Sequence, residues 1–116
     1  MTRYMLLLYA NEAAGESISP EDMSMWMQKM GEYGDALRKA DAFVSTGGLG
    51  RSRTARTVHA GKGGLQVHDG PYADTREQLG GYYLIEAADM DEAQSWAARC
   101  PAALWGHIEI REVQSG

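Results

Sequence analysis

Apolar positions along this chain follow two periods, and the switches between them lay out its elements. Arg3 to Ala10 carries a continuous apolar run bounded by polar residues, as a short central strand packed on both faces requires. Asn11 to Ser17 then reads as a loop. At Ser19-Pro20-Glu21-Asp22 the pattern becomes a helix start, with serine as N-cap, proline at the first helical position and acids at the positive end of the dipole. The spacing predicts a helix to about Lys39. Met23, Met30 and Leu37 recur every seven residues, and Trp26, Tyr33 and Ala40 lie three further on, so both sets share one stripe that covers a sheet. A methionine and aromatic stripe at this spacing reads as core rather than as an adaptable ligand surface. Gly31 and Gly34 each weaken that helix by about 1 kcal/mol relative to alanine, and are expected to mark a close approach of another element.

Ala42 to Thr46 predicts a second strand, ended by Gly47-Gly48. Two short strands follow, about Ala55 to Ala60 and Leu65 to Asp69, joined through Gly61-Lys62-Gly63-Gly64 as a hairpin. Alternation in the second puts Leu65, Val67 and Asp69 on one face and Gln66 and His68 on the other, so His68 and Asp69 diverge. Gly81 to Ala87 is the clearest strand in the chain. A second helix starts at Asp89, whose spacing to Glu92 makes a variant capping box, and stops at Pro101. Its stripe is Ala93, Trp96, Ala97 and Cys100, where the cysteine reads as a small core residue. The last strand, His107 to Val113, points Ile108 and Ile110 one way and His107, Glu109 and Arg111 the other.

With the inserted hairpin set aside, the order is strand, helix, strand, strand, helix, strand. That order predicts a ferredoxin-like α+β fold, an antiparallel sheet with both helices on one face. The other face would mix aromatics near Tyr9, Tyr82 and Tyr83 with the His107, Glu109, Arg111 row. Such a mixture suits a closed cleft better than bulk water, and two such sheets placed face to face would supply the closure. A homodimer is therefore expected.

Composition narrows the function classes. At 116 residues the chain is expected to form one domain. A formal charge of -5 argues against a general nucleic-acid binder. Arg51, Arg53, Arg56 and Lys62 give +4 with no acid between them, so the remainder carries -9. This local patch reads either as an attractor for a small anion or as the solvated decoration of an exposed hairpin. Cys100 is the only cysteine, which excludes an internal disulfide and a paired-cysteine zinc site and fits a reducing compartment. The apolar run from Met5 to Tyr9 is too short for a membrane span or a signal-peptide core, so a cytoplasmic protein is expected.

The densest chemistry lies in Asp69 to Gly81, Asp-Gly-Pro-Tyr-Ala-Asp-Thr-Arg-Glu-Gln-Leu-Gly-Gly, where Gly70-Pro71 forces a turn. This stretch, continued through Tyr82-Tyr83-Leu84-Ile85-Glu86, resembles the signature of the DGPF family of YCII-related proteins. The resemblance extends to Tyr4-Met5-Leu6-Leu7, Ser19-Pro20-Glu21 and Ile108-Glu109-Ile110-Arg111, nearly the whole chain. Tyr72 stands for the usual phenylalanine, Asp74 for glutamate and Arg76 for lysine. The resemblance implies a dimeric α+β barrel. Related proteins have been suggested to be enzymes with a histidine and aspartate pair in the cleft, and the family's genes often accompany sigma factors of the extracytoplasmic-function class. Asp69 matches the motif aspartate; no histidine here is fixed by the motif.

Of the three histidines, His107 is the best candidate, on the uncovered face beside Glu109, which would orient its ring for acid-base work. The competing reading is a strand-end histidine at the dimer seam. The site read from the sequence has Asp69 and His107 as the acid-base pair, with Tyr72, Thr75, Arg76 and Glu109 toward a small anionic organic substrate. For Asp69 an Asx-turn is the bland alternative, and for Thr75, Arg76 and Glu77 an internal brace in which Arg76 bridges two carboxylates. No zinc motif, phosphate loop, nucleophile elbow or dinucleotide fingerprint occurs, so the chemistry expected is cofactor-independent. The alternative is a non-catalytic accessory protein that contacts a sigma factor through the Arg51 to Lys62 hairpin. A purely structural oligomer is the third reading.

Overall fold

A computed structural model describes residues 1–114. The first strand, β1 (Thr2–Ala10), occupies the middle of a four-stranded sheet because it is apolar on both sides. Tyr4 and Leu6 are buried toward the helices, while Met5, Leu7 and Tyr9 alternate onto the opposite face. Around it lie β2 (Phe43–Gly48), β5 (Gln78–Ala87) and β6 (Gly106–Glu112), in the order β2-β5-β1-β6 with every neighbour antiparallel. Together with α2 (Pro20–Lys39) and α3 (Met90–Arg99), this is the expected ferredoxin-like α+β fold. The hairpin strands β3 (Arg56–Gly61) and β4 (Gly64–Asp69) form a separate two-stranded sheet. Among the described residues, no helix is long and apolar enough to cross a membrane.

Local chemistry accounts for the element ends. Ser19 Oγ accepts from the Asp22 amide at 3.1 Å, and Pro20 opens α2. Asp89 accepts from the Glu92 amide at 2.9 Å, while Glu92 reaches back to the Ala88 amide at 3.4 Å. α2 ends in a Schellman motif: the Ala42 amide donates to Leu37 at 2.9 Å and the Asp41 amide to Arg38 at 3.1 Å. Asp41 occupies the left-handed position there, with φ of 56°.

The core lies between the helices and one sheet face. Leu6, Leu37, Ile85 and Cys100 are fully enclosed, and each large aliphatic side chain so buried contributes about 1.5–3 kcal/mol. Tyr33 and Leu37 carry the α2 stripe into this core, and Met30 packs at its edge. The stripe weakens toward the helix start, where Met23 is 43% exposed and lines a hollow with Ala10, Ile18, Trp26 and Trp105. Neither Gly31 nor Gly34 marks the predicted close approach: a Cβ at Gly31 would meet nothing, and at Gly34 only the mobile end of Arg38 in its own helix. Close approach occurs instead at Gly106, where a Cβ would fall 1.9 Å from the Tyr9 carbonyl oxygen.

Several boundaries differ from the sequence reading; β2, for one, runs through Gly47 and Gly48, which were expected to end it. The predicted loop after β1 contains one helical turn, α1 (Glu12–Gly15), capped by Asn11 Oδ1 accepting from Ala14 N at 3.1 Å. β5 begins at Gln78 rather than Gly81, since the pairing with β1 resumes beyond a register shift at Leu8/Tyr9.

The face that no helix covers presents Met5, Leu7, Tyr82 and Leu84 across its centre, with His107, Glu109 and Arg111 along β6. Of the two adjacent tyrosines, Tyr83 enters the core and Tyr82 lies on this open face. The Tyr82 ring rests against Gly47, where a Cβ would come within 3.0 Å of it.

Candidate functional site

The Asp69-Gly70-Pro71 turn depends on its glycine, since Gly70 has φ of +105°, a conformation that side chains disfavour. Its amide donates to the Ala55 carbonyl at 2.7 Å, and its own carbonyl accepts from Thr57 Oγ1 at 2.9 Å. These bonds fasten the start of the loop to the base of β3. At the other end, Thr75 Oγ1 donates to the Glu77 carbonyl, and Gln78 Nε2 donates to the Thr75 carbonyl at 2.7 Å.

A second brace holds the facing wall. Glu12 accepts from the Ser52 amide with both carboxylate oxygens, at 3.1 and 3.2 Å, and its own amide donates to Gln78 Oε1 at 3.0 Å. The Ser52 hydrogen bonds hold the Glu12 carboxyl below the usual range; partial desolvation opposes them, and Arg51 and Arg53 reinforce them. Arg51 Nη1 donates to Glu16 Oε1. The turn after β1, the 3₁₀ turn at Ser52–Thr54 and the start of β5 are thereby tied together.

Between these walls is a cavity of about 530 Å³, with Tyr9 from β1 in its lining. Leu49, Ala55, Pro71, Ala73 and Leu79 make it mainly apolar, and Thr75, Gln78 and Arg51 supply polar groups. A small ligand with an apolar body and few polar groups matches such a lining. A neighbouring hollow of about 500 Å³ is more polar and is lined by Arg51, Arg53 and Arg76 together with Glu12 and Glu16. Among the described residues, no three His, Cys, Asp or Glu side chains gather as a metal site.

The residues singled out in the sequence separate here. Thr75 lines the first cavity and Arg76 the second; Asp69, Tyr72, His107 and Glu109 line neither. Asp69 is almost wholly exposed and stands 3.7 Å from Arg56 Nε, its cross-strand partner on β3, in place of an Asx-turn. Tyr72 is 92% exposed. Arg76 makes no carboxylate bridge among the described residues. His107 does find a carboxylate, but it is Glu77: Nδ1 lies 2.8 Å from Glu77 Oε1. Glu109 instead accepts from Arg111 Nε at 2.6 Å, a bond that raises the Arg111 pKa.

The Glu77 contact sets what His107 can do. A carboxylate only accepts, so Nδ1 carries the proton and Nε2 is left as the nitrogen able to take up or release one. Glu77 is the residue sequence reasoning put elsewhere, in an internal brace. A signal was present in the fold: β1 lies between β5 and β6, and Tyr9 pairs with both Leu79 and His107, which brings the loop before β5 toward the start of β6. The Glu12–Ser52 brace left no such trace, because its partners are 40 residues apart and neither belongs to a periodic element.

Comparison with known proteins agrees with this architecture. The family model described as the YCII-related domain matches residues 2–115. An uncharacterized protein of Rhizobium meliloti (strain 1021) is 32% identical over 94 residues, which cover 81% of this chain and 76% of the relative.

Proposed function

The chain belongs to the YCII-related family, and from that premise we propose that it binds a small organic anion and transforms it by acid-base chemistry without a cofactor. The carrying observation is the mainly apolar cavity beneath the central loop, with Tyr9 in its lining and the His107–Glu77 pair beside it in the strand register. Tyr9 and Leu79 line the cavity, His107 pairs with Tyr9 across the strands, and Glu77 lies two residues before Leu79.

On this reading the substrate's apolar body enters the cavity and Arg76 and Tyr72 orient its charged group. His107 moves the proton through Nε2, with Nδ1 held by Glu77. Asp69 takes the complementary role from a second copy of the chain, since on a single copy it faces solvent. A homodimer formed by paired open sheet faces completes the site. The apolar centre of that face, Met5, Leu7, Tyr82 and Leu84, supports the pairing.

Thermal-shift screening with small carboxylates, followed by calorimetric titration and turnover assays, tests the reading. His107→Gln is expected to lower turnover roughly 10²–10⁴-fold, the usual contribution of a positioned acid-base group, and Asp69→Asn to do likewise. Melting temperatures should stay within about 2 °C of the parent, because the His107–Glu77 pair is an exposed contact of little stabilising weight. Loss of stability with ligand response unchanged would assign these residues to bracing instead.

A further inference from the structure

At its N-terminal end α2 leaves part of its apolar stripe outside the core. Leu37 and Tyr33 are buried and Met30 packs at the edge, but one and two turns earlier Trp26 and Met23 line a hollow of about 310 Å³. Three segments contribute to it: the end of β1 with the turn that follows, the first turns of α2, and Trp105 after the 3₁₀ turn Pro101–Leu104. This hollow is distinct from the cavity beneath the central loop, and no residue lines both. Tyr9 lines that cavity and Ala10 lines this hollow; successive strand residues point to opposite faces, so the sheet lies between the two.

We propose that the hollow is a second binding site, for a small uncharged aromatic molecule, separate from the acid-base site. Its size suits one ring with short substituents, since about 310 Å³ stands at the small end of ligand pockets. Its lining asks for an apolar body: Ala10, Ile18, Met23 and the two indoles supply most of the wall. Trp26 and Trp105 already stand edge-on, with ring centroids 4.5 Å apart, so a third ring can join an aromatic cluster whose geometry is set beforehand. The charge of the occupant follows from what the polar groups are already doing. Glu12 is the charged residue in the lining, and both its carboxylate oxygens accept from the Ser52 amide; Asn11 Oδ1 accepts from the Ala14 amide. An anion would find no free cation in the lining. A cation would meet Lys29, whose Nζ stands 5.1 Å from the centre of the Trp26 ring and takes up its attraction for positive charge.

Titration of the full chain with para-fluorotoluene, followed by NMR of the three indole N–H groups, tests the site. Saturable shifts are expected at Trp26 and Trp105, with a Kd below about 1 mM. Trp96, buried against Tyr33 in the core, should not move, and its constancy also reports that the fold is intact in each variant. Benzoate and benzylamine, the charged counterparts, are expected to leave Trp26 and Trp105 unshifted. Met23→Glu puts a charge into the wall at a partly exposed helix position and should weaken binding about tenfold or more, as should Ala14→Leu by filling space. Met27→Glu, at a 65% exposed position outside the lining, should change nothing. Shifts that do not saturate, that include Trp96, or that survive Met23→Glu and Ala14→Leu overturn the site, and equal binding of benzoate overturns its neutral character. Indole signals that change with protein concentration alone and block the probe would assign the hollow to a second copy of the chain and overturn it as well.

Discussion

Tyr33 stands where both helices meet the sheet, its ring edge-on to Tyr83 at 5.3 Å and its hydroxyl donating to the Trp96 carbonyl at 2.7 Å. Removing the hydroxyl would leave that carbonyl without its side-chain donor in a buried place. Tyr33→Phe is expected to cost about 1–2 kcal/mol, read from urea unfolding. Burial above all, with Cys100 and Tyr83 adding to it, raises the phenol well above its ordinary 10.0. The folded chain therefore holds this proton more tightly than the unfolded one. The associated stability is complete below pH 10.0 and is lost as pH climbs above it toward the folded value. An alkaline unfolding series should show that decline in the parent and less of it in Tyr33→Phe. Burial likewise raises the Cys100 thiol, as its place on an apolar stripe implied. Such residues were legible because periodicity assigns a face. His107 was legible only in part: alternation put it on the open face, but its partner is 30 residues away in sequence.

Helix ends were readable because caps are local. Ser19 and Asp89 each bond an amide three residues on, so a short window of sequence contains the whole interaction. The close of α2 is a different case. Its Schellman motif wants glycine at the left-handed position, and Asp41 sits there with a Cβ penalty and with its charge at the negative end of the helix dipole. Asp41→Gly is expected to stabilise the fold by about 1 kcal/mol, a rise in melting temperature of about 3–6 °C for a chain of this size. The hairpin was equally plain from Gly61-Lys62-Gly63-Gly64, and its register agrees with alternation. What alternation left open is the destination of its apolar face, since the strand period is the same whether that face is covered or bare.

Over the whole molecule, the flat 49 × 42 × 18 Å body offers one sheet face to the helices and leaves the other to solvent. The pairing proposed above would couple folding to association, because only the folded sheet presents Met5, Leu7, Tyr82 and Leu84 together. Mass action then requires the melting temperature to rise with protein concentration, and Leu84→Asp should abolish the dependence. Calorimetric scans across a hundredfold dilution, roughly, read it directly. A melting temperature independent of concentration would count against the pairing.

The amino-acid order by itself determined the two long helices, the strands, the ferredoxin-like sequence of elements and the turn at Gly70-Pro71, since each follows from interactions among residues a few positions apart. It also determined which side chains share a face. Tertiary structure alone decided the rest: that Glu77 rather than Glu109 meets His107, that Asp69 meets Arg56, and that Glu12 closes a cavity wall by holding the Ser52 amide. Those contacts join segments 13 to 40 residues apart, and their geometry exists only after β1 has been seated between β5 and β6 and the loops have been folded across its end.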